Sequence, residues 1–170
     1  SERIDDGCYH KIQSILDKTT LLVGHNIKFD LMWLIEAGFK YTGKVYDTML
    51  GEYILNRGIR KSLTLEMSCR RRRIGSKDNR IKEFTDRGIP FQNIPANVVE
   101  EYGRMDVQIT RDLFNSQMAD FRMPKNKHLL MTAKMMNEFL IVLADMEANG
   151  ININLEDLSK VEKEYRAEFA

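Results

Sequence analysis

The segment LLVGHNIKFDLMWL, residues 21–34, constrains the fold of this chain more than any other stretch. Its leading apolar residues end at a Gly-His-Asn turn, and apolar residues then recur at helical spacing. This pattern predicts a short buried strand over residues 20–23 and a helix over residues 29–37 that Gly38 closes. The residues expected on the inner side of that helix are Trp33, Leu34 and Ala37.

The rest of the chain supplies one further strand and otherwise helices. The second strand is predicted over residues 44–50, and the pattern after it is helical. The predicted fold class is therefore α/β, changing to all-α toward the C-terminal end. Because two strands are too few to bury helices in a mixed layer, we expect the missing strands to come from elsewhere or to precede residue 1, in a longer protein of which this chain is a piece.

Two long helices, one long loop and several helix caps complete the predicted elements. The long helices are expected over residues 98–118 and 128–149. Residues 70–96 are polar and basic, and they are predicted to form a long loop with one short helical piece. The expected caps are Asp5 with Asp6, Ser62, Asn97 with Glu100 as its capping-box partner, and Asn154.

The chain is nearly neutral, with 26 Lys and Arg against 25 Asp and Glu, but the charges are unevenly distributed. Ten basic residues and only two acidic ones lie between residues 57 and 82. Lys and Arg that neutralise phosphates release condensed counterions, so this block fits a polyanion-binding surface. The substrate-binding residues predicted within it are Arg70, Arg71, Arg72 and Arg73. A solvated helix face and loop explains the same charges equally well.

The composition excludes several classes of protein. No stretch approaches the roughly 18 to 20 uninterrupted apolar residues of a membrane span, and the charged start does not resemble a signal peptide. Cys8 and Cys69 lie far apart without a nearby Cys or His cluster, which argues against a disulfide framework and a zinc site. We therefore expect a soluble globular protein of the cytosol, with no membrane partner.

Two aspartates stand where the pattern predicts burial. Asp106 interrupts the stripe formed by Tyr102, Ile109 and Leu113 on the first long helix, and Asp30 lies in the first turn of the helix that follows the first strand. An unpaired buried carboxylate costs several kcal/mol. A cation or a hydrogen-bond donor is therefore expected opposite each of them.

Two aspartates that converge at the end of a strand can bind Mg²⁺ or Mn²⁺ through oxygen, and a tyrosine beside them can orient a water molecule. That combination describes metal-assisted phosphodiester hydrolysis with two cations. The alternative is structural: Asp30 caps its helix, and Asp106 pairs with an arginine such as Arg104 or Arg111. Spacing alone leaves both interpretations open.

Four segments together resemble one known family. "GHNIKFD" is similar to the second exonuclease motif, and "YGRMD" to the third motif, Tyr-x-x-x-Asp, of the proofreading 3′-5′ exonuclease domain in family A DNA polymerases, the bacterial DNA polymerase I type. "YDTMLGEYILN" between them is also similar to that family. "VLADMEANGININLEDL" resembles the segment that leads from the exonuclease domain to the polymerase thumb. The resemblance covers nearly the whole chain.

The resemblance implies a ribonuclease H-like exonuclease fold of the DEDDy subclass, N-terminally truncated so that its first strands are missing, and followed by the all-α start of the polymerase domain. Residues 1–124 would form a partial exonuclease domain, and residues 125–170 the connecting helix and the beginning of the thumb. The family's Asp-x-Glu motif should precede "GHN" and is absent there. The only Asp-x-Glu, at residues 145–147, lies on a late helix and is not expected to bind metal. We therefore expect the chain alone to be inactive.

The resemblance also implies roles for individual residues. Asp106 would bind the first of two Mg²⁺ or Mn²⁺ ions, Asp30 would help hold the second, and Tyr102 would hydrogen-bond the attacking water. Asn26 would help position the 3′-terminal nucleotide or the Asp30 loop, unless it is simply a helix cap. Asp47, in the matching "DTML", is interpreted as structural or as a support for the metal ligands.

The function implied is proofreading: hydrolysis of 3′-terminal phosphodiester bonds in single-stranded DNA or at a primer-template end, in the cytoplasm of a bacterial or phage-infected cell. The rest of the polymerase chain would be a partner. Two alternatives stay open. One is a stand-alone DEDDy exonuclease that acts on RNA or DNA, and the other is a non-catalytic module that binds nucleic acid.

Overall fold

The computed structural model describes residues 6–75 and 80–169. The strands of this part are β1 (Leu21–Gly24) and β2 (Lys44–Asp47), and its helices are α1 (Asp6–Lys18), α2 (Ile27–Glu36), α3 (Thr48–Leu55), α4 (Leu65–Arg72), α5 (Arg80–Asp86), α6 (Ala96–Arg122), α7 (Leu129–Asn149) and α8 (Leu155–Glu168). A short 3₁₀ turn at Phe91–Asn93 precedes α6. Among these described helices, none combines the length and the apolar character needed to cross a bilayer.

The two strands form a parallel sheet in which Leu21 pairs with Lys44 and Gly24 with Asp47. Helix α2 connects them, α6 packs beside β1, and α7 packs against β2. The predicted α/β class, with helices alone after the second strand, is confirmed at this level. The second strand ends at Asp47 rather than Leu50, because the Asp47 side chain accepts a hydrogen bond from the Met49 N–H and so starts α3.

Buried apolar side chains form three clusters. The first joins α2, β2 and α7, the second joins β2, α3, α6 and α7, and the third joins α4 to α6. Val45 and Tyr46 are neighbours on β2 and belong to the first and second clusters, as the alternation of side chains along a strand requires. Helices therefore cover both faces of the small sheet.

Two predictions about burial around β1 and α2 are wrong. Leu21 is exposed, and the rest of β1 is only half-buried. Helix α2 buries Ile27 and Leu31, whereas Trp33 is 58% exposed and Ala37 is also exposed. The stripe that contains Ile27 and Leu31 is the one against which α7 packs, and this long-range contact decides which apolar face of α2 is buried.

The predicted cap at Asn154 is confirmed. Its side-chain oxygen accepts hydrogen bonds from the N–H groups of Glu156 and Asp157 at the start of α8. Helix α1 begins at Asp6, and the predicted capping partner Asp5 lies outside the described residues.

Two other predicted caps are wrong. Thr64, not Ser62, caps α4 through a hydrogen bond from a backbone N–H of its first turn. Helix α6 begins at Ala96, directly after Pro95, so Asn97 already lies inside the helix. Proline stands readily at a helix start because its φ is preset and its missing N–H would have had no partner inside the helix.

The long loop predicted over residues 70–96 is only partly correct. Helix α4 continues through the arginines as far as Arg72, and α5 occupies Arg80–Asp86. Residues 76–79 lie outside the described part of the chain. Arginine is a good helix former, and the second and third arginines of α4 also find a buried carboxylate, which favours helix over loop.

That carboxylate belongs to Glu52 on α3, which is 3% exposed. It accepts hydrogen bonds from Arg71 at 3.2 Å and from Arg72 at 2.8 Å, and Arg72 also donates to Asp120 at 2.6 Å. Burial disfavours the charge of Arg72, but its bonds to Asp120 and Glu52 outweigh burial and raise its pKa. Gln117 adds a hydrogen bond to Glu52 at 3.2 Å. The cluster therefore ties α3, α4 and α6 together.

Gly51 of α3 faces Gln117 of α6 at close range. A Cβ at this position would lie 2.3 Å from the Tyr46 hydroxyl and 2.6 Å from the side-chain oxygen of Gln117. These two groups are hydrogen-bonded to each other at 3.0 Å inside the core. A glycine is required here because any side chain would displace that buried pair.

We predict that Glu52→Gln lowers the free energy of unfolding by about 3 kcal/mol, since breaking a buried ion pair leaves its partner charges uncompensated. Urea denaturation measures this loss. Glu100→Gln is the matched control, because Glu100 pairs with Arg104 on an exposed helix face, and its loss should cost at most about 0.5 kcal/mol. Equal losses in the two variants would contradict a structural role for the Glu52 cluster.

Candidate functional site

A cleft of about 1190 Å³ lies between α2, β1 and α6. Its lining is mostly apolar, and it includes Trp33 and Phe114. Asp30, from α2, and Asp106, from α6, both line this cleft. The structure therefore places the two carboxylates that the sequence singled out on the lining of one cleft. Their role as metal ligands stays a prediction.

The turn between β1 and α2 allows a close approach of its two elements. A Cβ on Gly24 would lie 2.8 Å from the Ile27 side chain, so a larger residue would collide with the start of α2. Asn26 adopts φ 61° and ψ 43°, a left-handed conformation that asparagine tolerates better than most residues. Its N–H donates to Oδ1 of Asp47 at 2.9 Å. Asn26 is the N-cap residue of α2, as the alternative interpretation expects, but its side chain makes no capping hydrogen bond.

Asp30 follows in the first turn of α2, exposed at the cleft. Partial burial of its carboxyl group raises its pKa, and the negative charge of Asp47 raises the pKa further, although a backbone hydrogen bond acts in the opposite direction. An ionised Asp30 is therefore held in a place that disfavours its charge. A bound cation would relieve this cost.

His25 lies in the predicted Gly-His-Asn turn, and its ring contacts two other segments of the chain. Its Nε2 donates to the carbonyl of Leu63 at 2.8 Å, and its Nδ1 lies 2.9 Å from the Thr48 hydroxyl. The Thr48 hydroxyl is also within 2.9 Å of the Gly24 carbonyl. The ring thus ties the turn to the start of α3 and to the segment before α4.

Asp106 and Tyr102 are both half-buried on α6, one turn apart. The next two residues of the predicted stripe, Ile109 and Leu113, are buried against α4 and fix the rotation of the helix. Tyr102 is not part of the cleft lining, whereas Asp106 is. The structure thus places the tyrosine beside the aspartate along the helix but outside the cleft wall.

The arginines proposed as structural partners of Asp106 contact other carboxylates. Arg104 pairs with Glu100 at 2.6 Å, and Arg111 pairs with Asp112 at 3.2 Å. Both pairs are exposed to solvent.

The run of four arginines is divided by the structure. Arg71 and Arg72 are held by Glu52 and Asp120 and are largely covered. Arg70 and Arg73 are exposed and form no ion pair with a described residue. The prediction that all four bind substrate therefore needs correction: the inner two already have partners within the fold, and the outer two keep their charge available.

Metal-ligating side chains outside the cleft do not complete a site. Asp145 and Glu147 are exposed on α7, where Glu147 pairs with Lys28, and neither lines the cleft. Within residues 6–75 and 80–169, no group of three or more His, Cys, Asp and Glu could hold a metal ion. Asp30 and Asp106 are oxygen ligands that suit Mg²⁺ or Mn²⁺, and these described residues supply only part of a complete set.

Sequence reasoning missed several polar groups of the cleft. Thr110 and Asn115, both on α6, line it together with Asp106. Thr110 lies four residues after Asp106, so the helical period that placed Asp106 on an inner face would also have placed Thr110 there. Asn115 lies beside Phe114 at the edge of this stripe, and no local signal marks it.

Comparison with known proteins identifies a family. Residues 5–119 match a family model described as the 3′-5′ exonuclease of family A DNA polymerases. The chain is 26% identical over 148 residues to a DNA polymerase I of Borreliella burgdorferi, and 26% identical over 149 residues to a DNA polymerase I of Chloroflexus aurantiacus. No solved structure matches it significantly.

These alignments cover 87% and 86% of the chain, but 16% and 15% of the two polymerases. The chain therefore spans about a sixth of the length of these relatives. The family match, in contrast, spans well over half of the chain. On this basis the chain belongs to the 3′-5′ exonuclease family of the A-type DNA polymerases.

Proposed function

We propose that this chain is the proofreading part of a polymerase of the DNA polymerase I type, and that it removes nucleotides from the 3′ ends of single-stranded DNA. One observation carries the proposal: Asp30 and Asp106, from separate helices of a member of this exonuclease family, line one cleft. The names of its relatives support a polymerase as the host and primer-template DNA as the partner.

Asp106 and Asp30 would hold the two Mg²⁺ or Mn²⁺ ions of the reaction. Such cations, when bound, lower the pKa of a water molecule and stabilise the leaving oxygen. The aspartates would bind and orient the cations, and the pKa of Asp30, raised first by burial and then by the charge of Asp47, marks a carboxylate whose ionised form a cation would stabilise. Tyr102, one turn before Asp106, would hydrogen-bond the attacking water. The apolar walls of the cleft would exclude competing water molecules.

We also propose that the chain folds as part of a ribonuclease H-like exonuclease, whose remaining strands and Asp-x-Glu ligands lie elsewhere in the longer polypeptide. Residues 1–124 would belong to the exonuclease, and residues 125–170 would begin the polymerase thumb. The parallel β1-α2-β2 unit and the family match over residues 5–119 support the first part. The short stretch between α6 and α7 supports the position of the boundary.

In the longer polymerase, we predict that Asp106→Ala lowers the exonuclease rate more than about 100-fold, beyond the loss typical of a residue that only supports a ligand. The DNA affinity of the variant should stay within a few-fold of that of the unmodified polymerase, because the substitution removes a metal ligand and no phosphate contact. Tyr102→Phe should be milder, since the hydroxyl only orients a water already held by the metal. Single-turnover digestion of a labelled strand measures both variants.

Asp112→Ala is the control for these variants, because Asp112 lies on the same helix and only pairs with the exposed Arg111. Its rate should stay near that of the unmodified polymerase. A Tyr102→Phe loss as large as that of Asp106→Ala would contradict the role given to the tyrosine. An unmodified polymerase that binds DNA and shortens neither DNA nor RNA would favour a non-catalytic module, and one that shortens only RNA would favour an RNA-processing enzyme.

We predict that replacing Arg70 and Arg73 by Ala flattens the salt dependence of single-stranded DNA binding. Each phosphate contact contributes about 0.7 to the slope of log K against log salt, so the double variant should lower its magnitude by about 1.4. Replacing Lys160 and Lys163 on α8 removes the same charge from a different helix and should leave the slope unchanged. Equal slopes for all three proteins would show that the arginines are only solvated.

We also predict that the 170 residues alone show no nuclease activity. Mg²⁺ dehydrates reluctantly and is held weakly by a single carboxylate, and catalysis needs both cations placed together. A gel assay on a labelled single strand, with Mg²⁺ or Mn²⁺, checks this expectation. Progressive 3′-end shortening that Asp106→Ala abolishes would show that other residues of this chain, Asp145 and Glu147 first among them, complete the site.

A further inference from the structure

The carboxylate of Asp47 makes all its hydrogen bonds through one oxygen. Oδ1 accepts from the N–H of Asn26 at 2.9 Å and from the N–H of Met49 at 2.8 Å. Oδ2 is buried and has no hydrogen-bond partner among the described residues. The residue is 1% exposed, and no described Lys, Arg or His forms an ion pair with it.

An asparagine at this position would satisfy the same two N–H groups through its amide oxygen. It would, however, bury an unpartnered NH₂ group where Oδ2 lies, whereas aspartate buries a negative charge there, and a buried charge without its own cation is costly. Capping of α3 and support of the Asn26 turn therefore explain the shape of this side chain but leave its charge unexplained. The charge needs a partner that the hydrogen bonds of the described residues do not provide.

The position of Asp47 shows where that charge acts. In the sheet register Asp47 lies beside Gly24, which lines the cleft, and Asp47 holds the turn that leads into the helix carrying Asp30. The buried carboxylate of Asp47 therefore lies directly behind the turn that leads into Asp30 and the cleft.

We propose that Asp47 is a positioning residue for a divalent cation at Asp30, which it serves by fixing the Asn26 turn and by adding a buried negative charge behind the ligand. The proposal rests on the proposed function, because it needs a cation at Asp30. Asp47 does not touch the cation. Its negative charge, next to the ligand Asp30, increases the affinity of the site for the cation, as groups that contact metal ligands commonly do.

The test is a titration of the 170-residue chain with Mn²⁺, which broadens NMR signals close to the bound ion. We expect broadening of the backbone amide signals around Asp30, and a loss of apparent Mn²⁺ affinity of about tenfold in Asp47→Asn, at the low end for a supporting residue. Asp86→Asn is the matched control, since it removes one charge from the exposed end of α5 and should leave the affinity unchanged.

A second comparison separates the charge from the fold. In an Asp30→Asn background, Asp47→Asn should have no further effect on Mn²⁺ broadening if it acts through the Asp30 site. A purely structural Asp47 would lower the melting temperature without a selective effect on Mn²⁺ affinity. If Asp47→Asn loses the native spectrum, Asp47→Ser takes its place, because serine keeps a capping oxygen and is equally uncharged.

The outcomes distinguish the two proposals. If the unmodified chain shows no Mn²⁺ broadening near Asp30, the role of Asp47 is overturned, while the proposed function, which places further metal ligands elsewhere in the polypeptide, is tested separately by the Asp106→Ala polymerase. If the unmodified chain and folded Asp47→Asn bind Mn²⁺ equally well, only the role of Asp47 is overturned. If both uncharged variants lose the native spectrum, the charge is required for folding itself, and the proposal is likewise overturned.

Discussion

The hydrogen bonds of Asp47 hold the junction on which the rest of this structure depends. Its Oδ1 accepts from the N–H groups of Asn26 and Met49, and its own N–H donates to Oδ1 of Asn137 at 2.6 Å. One residue at the end of β2 therefore fixes the start of α2, the start of α3 and the position of α7. The position of Asp30, the cleft carboxylate on α2, therefore depends on this junction.

The same junction also makes the ionisation of Asp30 in the cleft less favourable. Burial, and then the charge of Asp47, raise the pKa of Asp30, so the folded chain binds that proton more tightly than the unfolded chain. Below the ordinary value of 3.8 both states are protonated and Asp30 costs nothing. Stability is lost as pH rises from there through the folded pKa, and the loss is complete at neutral pH. A cation that binds the ionised carboxylate would offset this loss.

Local signals were sufficient to predict the strand-turn-helix unit around the Gly-His-Asn turn, and the matching motifs singled out Asp30 and Asp106, which line the same cleft. The buried face of α2 could not be predicted in the same way. Leu31 and Trp33 are both apolar, and only the packing of α7, far along the chain, decides that Leu31 is covered. The ion pair of Arg71 with Glu52 could not be predicted from local sequence either, because Glu52 lies 19 residues away along the chain.

Helical geometry explains why a run of four arginines serves two purposes. Successive residues of a helix point about 100° apart, so the run cannot face one side. Arg71 and Arg72, in the last turn of α4, turn toward Glu52 and Asp120, which neutralise them. Arg70, also on α4, and Arg73, the left-handed residue directly after the helix, stay exposed. The local charge of the sequence therefore overstates the charge that a polyanion meets. The inner pair holds the end of α4 against α3 and α6, and the outer pair is left in solvent.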